Sequence, residues 1–346
     1  MIANARVKWL FDGKLGATFP PQGRWAILCR EELADWLAGA RESGMKLLII
    51  DNLGAGLGEG LIYEFIRIMA ADGNELVLRS TDGTTRIEDM LADAAAFDGV
   101  VASGGDGTVA AVCSALRYSD VPILPFPAGT ANLCASNLDS PTEVHALANM
   151  VKSGLTLDFD LGELEMNGET RRFVIMAGAG FDASIMKTAA PLKKSLGSFA
   201  YYRATVNHAL PQVARFTIEL DGETIERNGV GILGINFSQL QGGIPVVHGN
   251  FPRDGLLDVA ILTAANAFEL IPAMGAAMLD VTGQFPERTD AVEFKRARRV
   301  RISCEPALEA EYDGEPIGIA GELVMRALPS ATRFFVTPET YAAFTA

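Results

Sequence analysis

Cysteine is scarce. Cys29, Cys113, Cys134 and Cys304 are scattered along the chain with no CxxC pair, which reads as reduced thiols in a cytosolic protein. Histidine is scarcer: His145, His208 and His248 lie far apart and form no zinc-ligand spacing. That argues against a histidine metal site and against a Ser-His-Asp triad. Positive charge is also short, with 29 Lys and Arg against 43 Asp and Glu and a formal net charge of −14. A nucleic-acid binder rests on a basic surface, so that class is disfavoured, although a local basic patch is still allowed. No run reaches the ~18–20 apolar residues of a membrane span. The most apolar late segment, Ala264 to Val281, is interrupted by Asn266, Glu269, Pro272 and Asp280. Met1 to Trp9 lacks the long apolar stretch of a secretory signal. Any membrane contact is expected to be peripheral.

What is present is alternation. A chain of 346 residues is long enough for two cores. Residues 1–45 form an extension of open purpose, with one short helix expected over Glu31 to Arg41. A lid, a packing element or the arm of a homodimer would each fit. From Lys46 the pattern turns regular. Apolar runs at Leu47–Ile50, Glu75–Leu78, Gly99–Ala102 and Val121–Phe126 alternate with helical stretches at Glu59–Ala71, Thr85–Ala96, Val109–Leu116 and Thr142–Val151. Such alternation builds a parallel sheet covered on both faces. After about residue 155 the grammar changes. Asn167-Gly168, Asp221-Gly222 and Asp313-Gly314 are hairpin dipeptides between strand-like stretches. One helix, Phe199 to Leu210, interrupts an otherwise antiparallel β domain. The expected division is an α/β domain over 46–155 and a β-rich domain over 156–323.

Two stretches of the first domain carry chemistry. Val100 to Ala102 ends in Gly104-Gly105-Asp106-Gly107-Thr108, and a helical run follows. Glycines let backbone N–H groups approach an anion, and a helix N-terminus favours negative charge. A phosphate site is the expectation. Asp106 does not suit direct contact with an anion, so it meets phosphate through a metal ion or bonds elsewhere. The next strand ends in Pro127-Ala128-Gly129-Thr130-Ala131-Asn132, where Thr130 and Asn132 suit phosphate or ribose. Two such loops on adjacent strands make a shared cleft. The earlier cluster Gly54-Ala55-Gly56-Leu57-Gly58 fits neither GxGxxG in register nor a P-loop, and reads as a turn.

These loops resemble the diacylglycerol kinase catalytic family, which includes bacterial soluble lipid kinases and sphingosine kinases. Asn52-Leu53-Gly54-Ala55-Gly56 is similar to its first loop, and Ala177-Gly178-Ala179-Gly180-Phe181-Asp182-Ala183 to its Gly-x-Gly-Phe-Asp-Ala segment. Lys193 to Tyr201, Asp254-Gly255-Leu256-Leu257-Asp258 and Asp313-Gly314-Glu315 resemble further family elements, in family order, from Lys46 to the C-terminus. The resemblance implies a three-layer α/β nucleotide domain and a β-sandwich-like lipid domain, with 324–346 packing back on the first. It implies transfer of the ATP γ-phosphoryl to a lipid hydroxyl, such as diacylglycerol, a related glycerolipid or a sphingoid base. ATP would contact Asn52, Thr81, Gly104, Gly105, Asp106, Gly107, Thr108, Gly129, Thr130 and Asn132. Glu315 would be the general base with Asp313 beside it. Asp254 and the carbonyls of Phe251 and Leu256 would hold a structural Mg2+, and a second Mg2+ would arrive with ATP near Asp106. An NAD kinase shares the Gly-Gly-Asp-Gly-Thr loop, and a non-catalytic nucleotide- or lipid-binding regulator is the other alternative.

The chain departs from the family pattern at several positions. Leu53, Ala55 and Leu57 stand where proline, serine and a basic residue are usual, which removes a candidate phosphate cation. Ala110, Ala111 and Leu133 replace common polar or acidic residues. Lys295-Arg296-Ala297-Arg298-Arg299-Val300-Arg301 is the one basic run. It reads either as a solvated edge strand or as an attraction for anionic headgroups at the inner membrane face, with the lipid passing between the domains.

Overall fold

The computed structural model describes residues 16–18, 26–28, 44–55, 60–82, 84–180, 212–240, 244–264 and 291–345. The expected helices at Glu31–Arg41 and Phe199–Leu210, the motif residues Leu57, Gly58, Phe181–Ala183 and Lys193–Tyr201, and most of Ala264–Val281 lie outside them. Two short strands, β1 (Gly16–Thr18) and β2 (Ala26–Leu28), pair antiparallel.

The first domain is built on β3 (Lys46–Asn52), β4 (Glu75–Thr81), β5 (Gly99–Gly104) and β6 (Ile123–Pro127). They pair in parallel in the order β4-β3-β5-β6. Successive side chains of a strand point to opposite faces, and β3 uses both. Leu47 and Ile49 join one core with Ile62, Phe65 and Met69 of helix α1 (Leu61–Ala71). Leu48 and Ile50 join another with Val109 and Val112. All four strand residues are fully buried, and each contributes roughly 1.5–3 kcal/mol of burial free energy. This is why Leu47–Ile50 is apolar without alternation.

The helix expected over Thr85–Ala96 is broken. Only α2 (Ile87–Met90) and a 3₁₀ turn (Ala94–Ala96) form. Arg79 meets the chain at the break: its guanidinium donates to the Met90 carbonyl at 2.5 Å and to the Asp93 carboxylate at 2.6 Å. Helix α3 (Asp106–Ala115) follows β5; α4 (Leu133–Asn137) and α5 (Val144–Ser153) follow β6. Gly154, in the left-handed region at φ 65°, ends α5.

Beyond it the strands are β7 (Thr156–Met166), β8 (Glu169–Phe173), β9 (Met176–Gly180), β10 (Ala214–Leu220), β11 (Glu223–Gly229) and β12 (Gly231–Ile235). Then come β13 (Gln239–Leu240), β14 (Ile244–Pro245), β15 (Leu257–Leu262), β16 (Val292–Ala297), β17 (Arg299–Tyr312) and β18 (Glu315–Phe335). Asn167-Gly168, Asp221-Gly222 and Asp313-Gly314 each turn a hairpin with both residues at positive φ, as asparagine, aspartate and glycine tolerate. A third core gathers Phe173, Phe216, Ile232, Val259, Ile302 and Met325.

β18 ties the two halves into one sheet. It pairs with β17 through Arg326, with β7 from Val324 to Phe335, and with β6 in parallel at Phe334 opposite Ile123. Helix α6 (Pro338–Thr345) then lies against the first domain, with Thr340 Oγ1 donating to the Leu138 carbonyl at 2.7 Å. Among the described residues no helix is long and apolar enough to cross a membrane.

Candidate active site

The four parallel strands end together. Register places Asn52 opposite Thr81, and Gly104 opposite Pro127, so every expected nucleotide contact starts from one sheet edge. Asn52 Nδ2 donates to Thr108 Oγ1 at 2.9 Å, and its Oδ1 accepts the Gly54 N–H at 3.0 Å. Gly104 is required by space: a Cβ there would lie 2.4 Å from Thr108 Oγ1. The helix begins at Asp106 rather than at Val109, so Gly107 and Thr108 form its first turn. Thr108 and Val109 both donate to the Gly105 carbonyl, at 2.9 and 3.1 Å. The glycine-rich stretch is therefore half strand end and half helix N-terminus, the arrangement that presents unpaired N–H groups to an anion.

The second loop leans on the first. Asn132 sits at φ 51° and folds its amide back: Oδ1 accepts the Gly129 N–H at 2.8 Å and Nδ2 donates to the Gly129 carbonyl at 2.9 Å. That closes a ring around Gly129 and leaves Thr130 exposed at the tip. Asn132 thus shapes the loop with its own side chain. Asp106 bridges the two loops, because its Oδ1 accepts the Cys134 N–H at 3.0 Å in the first turn of α4. The crevice they share is lined by Gly104, Gly105, Asp106, Pro127 and Asn132 among others.

The β domain brings Asp313 to the same place. Its carboxylate accepts the N–H groups of Val174, Ile175 and Met176 at 2.8, 2.8 and 3.1 Å, which fixes the bend between β8 and β9. Lost solvation pushes the Asp313 carboxyl up to about 7; the three N–H bonds pull the other way, and the Asp106 charge adds to the rise. Two acidic groups from different domains therefore feel one another. Glu311 Oε2 accepts the Gly314 N–H at 2.8 Å, holding the turn from inside. Glu315 begins β18 opposite Tyr312 and is exposed.

Sequence reasoning missed the support of these groups. Asp51 and Ser103 form a buried pair one residue behind the strand ends, with Ser103 Oγ donating to Asp51 Oδ1 at 2.8 Å. Strand register was the signal that could have paired them. Cys113, Cys134 and Cys304 are free and buried. Burial pushes the Cys113 thiol up to about 12, which keeps it protonated and unreactive.

The residues expected to hold a structural Mg2+ do not fit the ion. Asp254 Oδ1 accepts the Leu256 N–H at 2.9 Å, and Oδ2 pairs with the Arg296 guanidinium. The Phe251 carbonyl accepts the N–H groups of Arg253 and Asp254, at 2.7 and 3.2 Å. Asp254, the one charged ligand of the three, is already neutralised by a guanidinium. Among the described residues no group of three or more His, Cys, Asp or Glu could hold a metal. Asp106 differs, since among the described residues one of its carboxylate oxygens receives an N–H bond, from Cys134.

The basic run is largely neutralised. Lys295 pairs with Glu293 at 3.2 Å, Arg296 with Asp254 and Asp258, and Arg301 with Glu322 at 2.6 Å. Arg298 and Arg299 are exposed, with their backbone N–H groups on the Asp221 carboxylate at 2.9 and 2.8 Å. Arg299 begins β17 and Arg298 precedes it, at the far end of that strand from Tyr312, and so away from the cleft.

Comparison with known proteins identifies the family. Residues 46–164 match the diacylglycerol kinase catalytic domain, and residues 175–336 match the YegS C-terminal NAD kinase beta sandwich-like domain. A probable lipid kinase YegS-like protein of Pseudomonas putida is 33% identical over 69% of this chain and 77% of its own length. An uncharacterised Synechocystis protein is 27% identical over 69% of this chain, which spans 55% of that relative's length. The crystal structure of a putative diacylglycerol kinase from Bacillus anthracis shares the fold, with a TM-score of 0.71 at 22% identity over 87% of this chain and 98% of that one. The chain therefore belongs to the diacylglycerol kinase family of lipid kinases.

Proposed function

We propose that this protein transfers the γ-phosphoryl group of ATP to the hydroxyl of a lipid, with diacylglycerol or a related glycerolipid or sphingoid base as the acceptor. The observation that carries the reading is the meeting of two glycine-built loops with Asp313 at one sheet edge, each side supplied by a different domain. In this reading the N–H groups at the start of α3 hold the ATP phosphates at the crevice. The rest of the nucleotide lies along the rim near Asn52 and Thr130, with Thr81 buried at the end of β4. Mg2+ bound with ATP offsets the phosphate charge beside Asp106, where the chain supplies acid rather than lysine. Glu315 accepts the proton of the lipid hydroxyl, and Asp313 holds the turn that presents it.

The test is transfer from radiolabelled ATP to a panel of lipids in mixed micelles, with NAD as a competing acceptor. Labelled lipid is the expected product. Label on NAD would favour an NAD kinase, and measurable ATP binding without any transfer would favour a regulator. Glu315→Gln should lower kcat by about 10²–10⁴-fold, the usual contribution of a positioned base, with ATP affinity nearly unchanged. Retained turnover would refute the base assignment.

A further inference from the structure

We infer that the Arg296 guanidinium is the resident cation of the Asp254–Asp258 carboxylate pair, standing where a divalent ion would otherwise be bound. The inference is independent of the phosphoryl-transfer reading. Arg296 lies directly opposite Asp258 in the β15–β16 register. Its Nε pairs with Asp258 Oδ1 at 2.9 Å while its Nη2 reaches Asp254 Oδ2. The two remaining carboxylate oxygens accept the Leu256 N–H at 2.9 Å and the Asn250 Nδ2–H at 2.8 Å. All four oxygens are thus met by N–H donors, and Asp258 is almost fully buried. Two carboxylates this close repel unless a cation lies between them. A planar guanidinium with several fixed donors bridges two carboxylates as a metal would, but needs no free ion.

What this cation organises is a junction. The Gly255 N–H donates to Asp160 Oδ2 and the Ser330 N–H to Asp160 Oδ1, both at 2.7 Å. Arg253 Nε donates to the Asp158 carbonyl at 2.6 Å, and its guanidinium also reaches the Phe344 carbonyl in α6. The segment from Asn250 to Leu256 therefore joins β7, β15, β18 and the C-terminal helix. Its order is set inside the chain and does not follow the free Mg2+ concentration.

Thermal unfolding without nucleotide tests this directly. The natural sequence should melt within about 1 °C in chelator and in millimolar Mg2+ or Ca2+, a shift smaller than ~1 kcal/mol would give. Arg296→Met should melt earlier in chelator, and Mg2+ or Ca2+ should restore part of the loss. Adding Asp254→Asn to that variant should remove the restoration. A natural protein stabilised by Mg2+, with the gain abolished by Asp254→Asn alone, would overturn the inference. So would a folded Arg296→Met variant that gains nothing from either cation. If Arg296→Met does not fold under any condition, the titration of the natural protein decides alone.

Discussion

Gly129 and Gly105 approach so closely that a Cβ on Gly129 would lie 2.4 Å from the Gly105 Cα and 3.0 Å from the Gly105 nitrogen. Both obstacles are backbone atoms of Gly105, the residue immediately before α3. Gly129→Ala can be accommodated only by driving the two loops apart. Overpacking of this kind costs typically ~1–3 kcal/mol, and it should also open the phosphate crevice. The expected result is a lowered melting temperature together with at least about tenfold weaker ATP binding by calorimetry. Unchanged ATP affinity in a destabilised Gly129→Ala would show that loop-to-loop contact is not what shapes the site.

Asp313 links stability to pH. Its carboxyl is raised from 3.8 to about 7, so between those values the folded chain keeps a proton that the unfolded chain has released. Stability contributed by the protonated form is complete below pH ~4 and is lost as pH rises through ~7. Asp160 is also raised, first by burial, and acts in the same direction. After allowance for solvent screening, the Asp313 contribution is on the order of 1–3 kcal/mol. Urea midpoints from pH 4 to 8 should therefore fall with rising pH, and Asp313→Asn should flatten that slope while lowering stability throughout. An unchanged slope in the variant would assign the pH dependence to other groups.

The parallel sheet was legible because β3 and β5 are buried on both faces, which leaves an unbroken apolar run in the sequence. The three hairpins were legible because their turns need positive φ, and Asn-Gly and Asp-Gly record that need. Helix boundaries were less so. α3 starts three residues earlier than its apolar pattern, since Asp106, Gly107 and Thr108 form a helical turn without contributing to that pattern. The Thr85–Ala96 helix gives way where Arg79, in another element, binds the Met90 carbonyl and the Asp93 carboxylate. Asp254 and Arg296 are 42 residues apart, and only the β15–β16 register brings them together. A motif read along the chain shows the carboxylate and not the cation that fills it.

Arg298 and Arg299 are what is left of the basic run once Lys295, Arg296 and Arg301 are paired with carboxylates. Each basic group near an anionic membrane is worth about 1 kcal/mol, so two of them supply weak attraction at most. Flotation with vesicles containing phosphatidylserine should show salt-sensitive binding, and Arg298→Glu with Arg299→Glu should reduce it by about tenfold or more. Transfer to short-chain lipid in solution should be unaffected, because both residues lie at the far end of β17 from the Asp313 turn. Binding that survives the double reversal would place the membrane-facing surface elsewhere on the chain. Equal loss of binding and of soluble turnover would mean that the substitutions disturbed the β domain itself, through the Asp221 carboxylate that holds both backbone N–H groups.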